Sequence, residues 1–116
     1  MNEIISPING RSYVVTTNIT CCDGGIYCIC CACLSLYTGK TTGQFDKRFD
    51  EHFDPSKSSA VLDHSRTCEI GKNKENYTIQ YLENMYSRGK YTLSEREYLW
   101  NERLRGILNI QKTLKR

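Results

Sequence analysis

Gly25–Ile26–Tyr27–Cys28–Ile29–Cys30–Cys31–Ala32 alternates Ile with small or aromatic residues, the period of two that marks a β-strand. A short turn around Cys33 to Ser35 leads into Leu36–Tyr37–Thr38–Gly39, so the two runs predict a hairpin. Upstream, Arg11 to Thr17 (RSYVVTT) is also β-rich. Downstream the period changes: Phe45, Phe49 and Phe53 recur every four residues and make one helical stripe over Gln44 to Phe53, which Pro55 ends. Ser58 to Arg66 predicts a second short helix, Tyr77 to Leu82 a further strand, and Leu93 to Arg105 a long helix that Thr92 and Glu95 open as a capping box. The order strand, strand, helix, helix, strand, helix predicts an α+β fold, a small mainly antiparallel three-stranded sheet flanked by helices.

The 116 residues suffice for one domain with one core, and leave no room for a large enclosed cofactor site, so a bulky organic cofactor is not expected. Eight Gly, two Pro and the lack of a long apolar run argue against disorder, a collagen-like chain and a membrane span. The first twenty residues carry Glu3, Pro7 and Arg11 and no apolar stretch of signal-peptide length, so a nuclear or cytoplasmic, non-secreted protein is expected. Seven cysteines, an odd number with adjacent pairs at Cys21–Cys22 and Cys30–Cys31, fit metal ligation or plain burial better than a disulfide framework.

The net charge of +3 is unevenly spread. From Met85 onward Arg88, Lys90, Arg96, Arg103, Arg105, Lys112, Lys115 and Arg116 face only Glu95, Glu97 and Glu102. That third of the chain is a candidate phosphate-facing surface, the alternative being a solvated helix face with a charged tail.

Some residues sit oddly for a purely structural role. At about 100° per residue, Arg48 and His52 fall within about 60° of the Phe stripe, at the rim of the buried face. An Arg and a His one turn apart suit an anion in a cleft; a snorkelling Arg and an ordinary hydrogen-bonded His are the alternative. In the last helix Leu93, Trp100, Leu104 and Ile107 define the apolar stripe, and Glu97 projects within about 40° of its centre. An unpaired buried carboxylate costs several kcal/mol, so Glu97 is expected to have a partner, either a buried Arg or a divalent cation.

These residues resemble a family. Gly25–Ile26–Tyr27, Tyr37–Thr38–Gly39, Arg48 with His52, Glu97 and Asn109 are similar in order and approximate spacing to the motifs of the GIY-YIG nuclease domain, with Thr38 where Ile is usual. The resemblance implies a single GIY-YIG-like domain over residues 1–116, with its core at about 25–109 and a strand extension at 1–24. It also resembles, more narrowly, the endonuclease domain of Penelope-like retroelements, which carries a Cys-x-x-Cys before the second motif and later His residues. Cys30 and Cys33 match that pair, His64 matches the first later His, and Cys68 stands in place of the second. Cys30, Cys33, His64 and Cys68 would then form a structural Zn²⁺ site, with Cys21, Cys22, Cys28 and Cys31 as competing ligands.

What the likeness implies is metal-dependent hydrolysis of DNA phosphodiesters, nicking target DNA for a mobile element, with a reverse transcriptase domain of the same polyprotein as a candidate partner and no membrane association. Tyr27 would be the base or water-orienting group with Tyr37 beside it, its acidity raised by Arg48, His52 and the metal, with Lys40 adding to the field. Glu97 would hold one Mg²⁺ or Mn²⁺, Arg48 would contact the scissile phosphate, and Asn109 would orient Glu97 or the substrate. The alternative is a zinc-stabilised, non-catalytic nucleic-acid-binding module.

Overall fold

A computed structural model describes residues 3–6, 10–15, 23–57, 59–85, 90–106 and 108–109. Ile107, Cys21, Cys22, Thr16, Thr17, Ser58, Arg88, Lys112, Lys115 and Arg116 from the sequence reading lie outside the described residues. Strands β1 (Glu3–Ile5) and β2 (Ser12–Val14) form an antiparallel pair. Strands β3 (Gly25–Cys31) and β4 (Leu36–Thr41) are the expected hairpin, and β5 (Tyr77–Asn84) pairs with the other side of β3. The sheet is three-stranded and antiparallel in the order β4-β3-β5. Helices α1 (Phe45–Glu51) and α2 (Ala60–Thr67) lie between β4 and β5 in the chain, followed by two 3₁₀ turns, and α3 (Leu93–Leu104) follows β5. The fold is α+β, as the alternation of periods predicts. Strand β1 lies within the strand extension expected at 1–24, and the 3₁₀ turns have no counterpart in the sequence reading.

The pleat of β3 divides the core in two. Tyr27, Ile29 and Cys31 face one side, where they pack with Tyr37, Phe45, Val61 and Tyr77. Ile26 and Cys28 face the other, against Leu82, Trp100 and Leu104. Ile4 and Val15 of the amino-terminal hairpin join that second cluster, and Ser6 Oγ donates to the Arg103 carbonyl at 2.6 Å. Thr92 and Glu95 make the predicted capping box at the start of α3. No helix among the described residues is long and apolar enough to cross a membrane.

One irregularity redirects a charge. Ile26 pairs with Glu83 and Tyr27 with Tyr81, so β5 carries a bulge at Leu82. A bulge shifts the in-out parity of the strand, and it turns Glu83 onto the α3 side with Leu82 instead of leaving it on the Tyr81 side.

Candidate active site and metal centre

Tyr27, fully buried, lies opposite Gly39 in the β3–β4 ladder. A β-carbon on Gly39 would come within 2.6 Å of the Tyr27 hydroxyl oxygen and 2.9 Å of Tyr37 Cε2, so the absence of a side chain is what lets the phenol lie there. The hydroxyl oxygen is 2.7 Å from His52 Nε2 and accepts from Arg48 Nε at 3.3 Å. His52, at the C-cap of α1 and one turn beyond Arg48, is buried and sits edge-on to the rings of both Tyr27 and Tyr37. Its Nδ1 is 2.7 Å from Ser59 Oγ. Phe45 stacks on Tyr81 at 4.7 Å and braces the Tyr27 ring from its edge.

Among the protein's own groups the balance at Tyr27 runs toward a higher pKa, not a lower one. Burial is the largest influence and pushes the hydroxyl well above the ordinary phenol range, Tyr37 adds to it, and the charge and hydrogen bond of Arg48 oppose both without reversing them. Tyr37 is raised as well, by burial and then by Glu97. In this state Tyr27 is a neutral phenol at physiological pH and needs an acceptor for its proton.

Glu97 is also placed differently from the sequence reading. Its side chain keeps 24% of its surface exposed, and Lys40 Nζ lies 3.4 Å from Oε1. Its partner among the protein's side chains is thus a lysine at the rim in place of a buried Arg. The deeply buried carboxylate is Glu83, 4% exposed. Arg96 Nε donates to both of its oxygens at 3.1 Å, Arg96 Nη2 to Oε1 at 2.8 Å, and Trp100 Nε1 to Oε1 at 2.7 Å. Arg96 and Trp100 are four residues apart on α3, so Glu83 clamps the helix on both sides of Glu97. Residue patterning missed Glu83 because the bulge, which reverses its facing, leaves no mark in the sequence.

Asn109 bonds the backbone of the second motif. Its Oδ1 accepts from Thr38 N at 2.8 Å and its Nδ2 donates to Thr38 O at 2.9 Å, so the side-chain amide pairs with the open edge of β4 as a neighbouring strand would. This contact falls on the residue between Tyr37 and Gly39, a placement that the order of motifs alone does not reveal. Thr38 is buried, and its Oγ1 has no hydrogen-bond partner among the described residues.

An open depression of about 410 Å³ lies between β4 and α1, lined by Lys40, Thr41, Gly43, Arg48, Glu51 and Leu93. A second one, about 510 Å³, lies beside α3 under Tyr91, Ser94, Tyr98 and Leu99 and holds none of the candidate residues except Arg96 from the basic third. The first is the one that suits a phosphate, because Arg48 and Lys40 bring cations to it.

Four ligand atoms meet on the same face of the sheet, at the Cys31 end of β3: Cys31 Sγ, Cys33 Sγ, a His64 ring nitrogen and Cys68 Sγ all lie within 4.8 Å of one another. Cys31 therefore replaces Cys30 in the expected set. Side chains of a strand alternate, and Cys30 falls on the other side of β3 from Cys31, its thiol donating to the Cys31 carbonyl at 3.3 Å. His64 lies on α2 and Cys68 is its C-cap, so the helix runs far enough to bring i and i+4 together. Cys33 Sγ is 3.3 Å from His64 Nε2, and Gly71 N donates to Cys68 Sγ at 3.3 Å. Burial pushes the Cys33 thiol up, but hydrogen bonds with Ser35, Cys31 and His64 outweigh it and bring it down to about 6. Burial raises Cys31 to about 11. Three thiols and an imidazole are a ligand set that suits structural Zn²⁺.

The GIY-YIG catalytic domain family matches the chain over residues 23–107, from the start of β3 through α3. That span includes Tyr27, Tyr37, Arg48, His52 and Glu97 and ends just before Asn109. No curated protein and no solved structure matches the chain.

Proposed function

The chain belongs to the GIY-YIG family of nuclease domains, and from that premise we propose that it is a DNA endonuclease that hydrolyses phosphodiester bonds with a divalent cation. The observation that carries this reading is the buried Tyr27 hydroxyl held between His52 Nε2 and Arg48 Nε, with Arg48 and Lys40 lining a cleft and Glu97 paired to Lys40. Phosphodiester hydrolysis needs a proton acceptor for water and positive charge on the phosphorane. The attacking water passes a proton to the Tyr27 oxygen as the phenol proton moves to His52 Nε2. The resulting imidazolium keeps its Nδ1 side on Ser59. The hydroxide forms the new P–O bond, the bond to the leaving oxygen breaks, and that oxygen takes a proton from solvent.

Arg48 binds the phosphate oxygens with a face of its guanidinium left open to the cleft, and Lys40 adds charge. Glu97, a hard and partly hydrated donor, fits Mg²⁺ or Mn²⁺, which when bound supplies Lewis-acid charge to the phosphate. Cys31, Cys33, His64 and Cys68 would hold structural Zn²⁺, which would tie the β3–β4 turn to α2. The retroelement reading, with a reverse transcriptase domain in the same polyprotein, is supported by the Cys and His pattern, although the clustered pair is Cys31 and Cys33.

The test is incubation with supercoiled plasmid, with and without Mg²⁺, comparing the parent with Glu97→Ala. Nicking by the parent and its loss by several orders of magnitude in the variant, with DNA binding retained, is the expected result. The Cys and His cluster also favours a second reading, a zinc-stabilised binding module. A parent protein that retards plasmid in a gel but leaves it supercoiled in Mg²⁺ and Mn²⁺ would establish that reading instead.

A further inference from the structure

We propose that Ser59 is a positioning residue that holds His52 as the Nδ1–H tautomer, so that Nε2 is the acceptor for the Tyr27 proton. The inference rests on the nuclease reading for its catalytic consequence, but its structural content stands on the hydrogen bonds themselves.

Two arrangements of protons are open to the row Tyr27, His52, Ser59. In one, Nε2–H and Arg48 Nε–H both donate to the Tyr27 oxygen, and the phenol proton then has no acceptor among the described residues. A buried donor left unmade is costly. In the other, Tyr27 O–H donates to Nε2, Arg48 Nε–H donates to the Tyr27 oxygen, and Nδ1–H donates to Ser59 Oγ. In this second arrangement the proton left without an acceptor among the described residues is that of the Ser59 hydroxyl, on a residue that keeps 8% of its surface exposed, whereas in the first it is that of Tyr27, which is fully buried. Because burial keeps Tyr27 protonated, the second arrangement is the one that satisfies the group.

Ser59 is well made for the task. It is the N-cap of α2, in extended backbone, and 8% exposed. Its Oγ already accepts from Val61 N at 3.2 Å, which fixes the direction of the side chain and leaves a lone pair toward Nδ1 at 2.7 Å. The other end of the same helix carries His64 and Cys68 of the Cys and His cluster, so the oxygen that orients His52 is anchored through α2 at both ends. Ser59 does not line the cleft between β4 and α1, and any effect of its removal on cleavage passes through His52.

The experiment is long-range ¹H–¹⁵N correlation on the full chain at neutral pH. The protein has two histidines, and His52→Gln assigns the signals. The parent should show His52 with hydrogen on Nδ1. Ser59→Ala should shift the ring toward Nε2–H or a mixture and lower kcat for plasmid nicking about ten- to a hundredfold with KM for DNA unchanged. Ser59→Thr, which keeps both hydroxyl and cap, should restore tautomer and rate. An Nε2–H ring in a parent that cleaves DNA, or an unchanged tautomer in a folded Ser59→Ala, overturns the role of Ser59. A parent that holds Nδ1–H but does not cleave overturns the nuclease reading alone. The measurement on the parent needs no variant to fold.

Discussion

Gly39 faces Tyr27 across the β3–β4 ladder, and the phenol of Tyr27 occupies the space that a β-carbon on Gly39 would need. The glycine that closes the second motif is thus the floor on which the tyrosine of the first motif rests. Gly39→Ala should displace the Tyr27 hydroxyl from His52 and Arg48, destabilise the fold by about 1–3 kcal/mol and remove most cleavage. Thermal unfolding and single-turnover nicking read the two effects. An alanine variant with parental rate would mean that the phenol can shift without cost to the chemistry.

Tyr27→Phe deletes only the hydroxyl that joins His52 and Arg48. The fold should survive, with near-parental circular dichroism, and nicking should fall by two or more orders of magnitude, a loss of about 3 kcal/mol or more in transition-state binding. Arg48→Lys keeps the charge but not the planar fork, so it should lose a large part of the rate too. Parental rates in both variants would reject the roles given to these side chains.

Zinc content should separate two adjacent cysteines. Cys31→Ser should lose the metal, as should His64→Ala, whereas Cys30→Ser should retain it, because its thiol is on the other side of β3 from the cluster. Elemental analysis of protein purified without chelator makes the comparison. Stripping the metal should lower the melting temperature of the parent and leave that of Cys31→Ser unmoved. The opposite pattern, with Cys30 essential and Cys31 dispensable, would return the ligand set to a Cys-x-x-Cys corner.

Glu83→Ala should be among the most damaging substitutions outside the cleft. It leaves Arg96 and the Trp100 indole N–H unpaired against the sheet. The expected cost is about 2–4 kcal/mol, below that of a wholly enclosed pair because Arg96 keeps 22% of its side chain in water. Denaturant unfolding measures it, and a cost under about 0.5 kcal/mol would show that the clamp contributes no more than a surface ion pair.

Thr38→Val should act in the other direction. It replaces a buried hydroxyl that has no partner among the described residues with a methyl of the same shape. A gain of about 1 kcal/mol is expected, with cleavage retained, since the bonds to Asn109 come from the Thr38 backbone. Loss of stability on this change would reveal a partner for Oγ1.

Much of this molecule is legible one segment at a time. The period of two in Gly25–Cys31, the four-residue recurrence of Phe45, Phe49 and Phe53, and the Thr92–Glu95 box are local properties, and each has its element in the fold. Arg48 and His52, one turn apart, were visible beside the Phe stripe for the same reason, although His52 is buried and not at the rim, and helical spacing alone brings His64 to Cys68.

What the sequence by itself determined is therefore the elements and the kinds of side chain they carry: the hairpin, the helices, the tyrosines, the Arg and His pair, and a surplus of thiols. Only the tertiary structure decided which of these meet. The pleat of β3 chose Cys31 over Cys30, the bulge in β5 moved Glu83 under α3 and left Glu97 at the rim with Lys40, and the approach of α1 buried Tyr27 deeply enough that burial outweighs Arg48. The Ser59 hydroxyl reaches His52 because the N-cap of α2 lies against the C-cap of α1. Periodicity is a property of neighbours along the chain, whereas facing, pairing and desolvation are set by residues far apart in it, and strand parity, which a single inserted residue reverses, has no local signature.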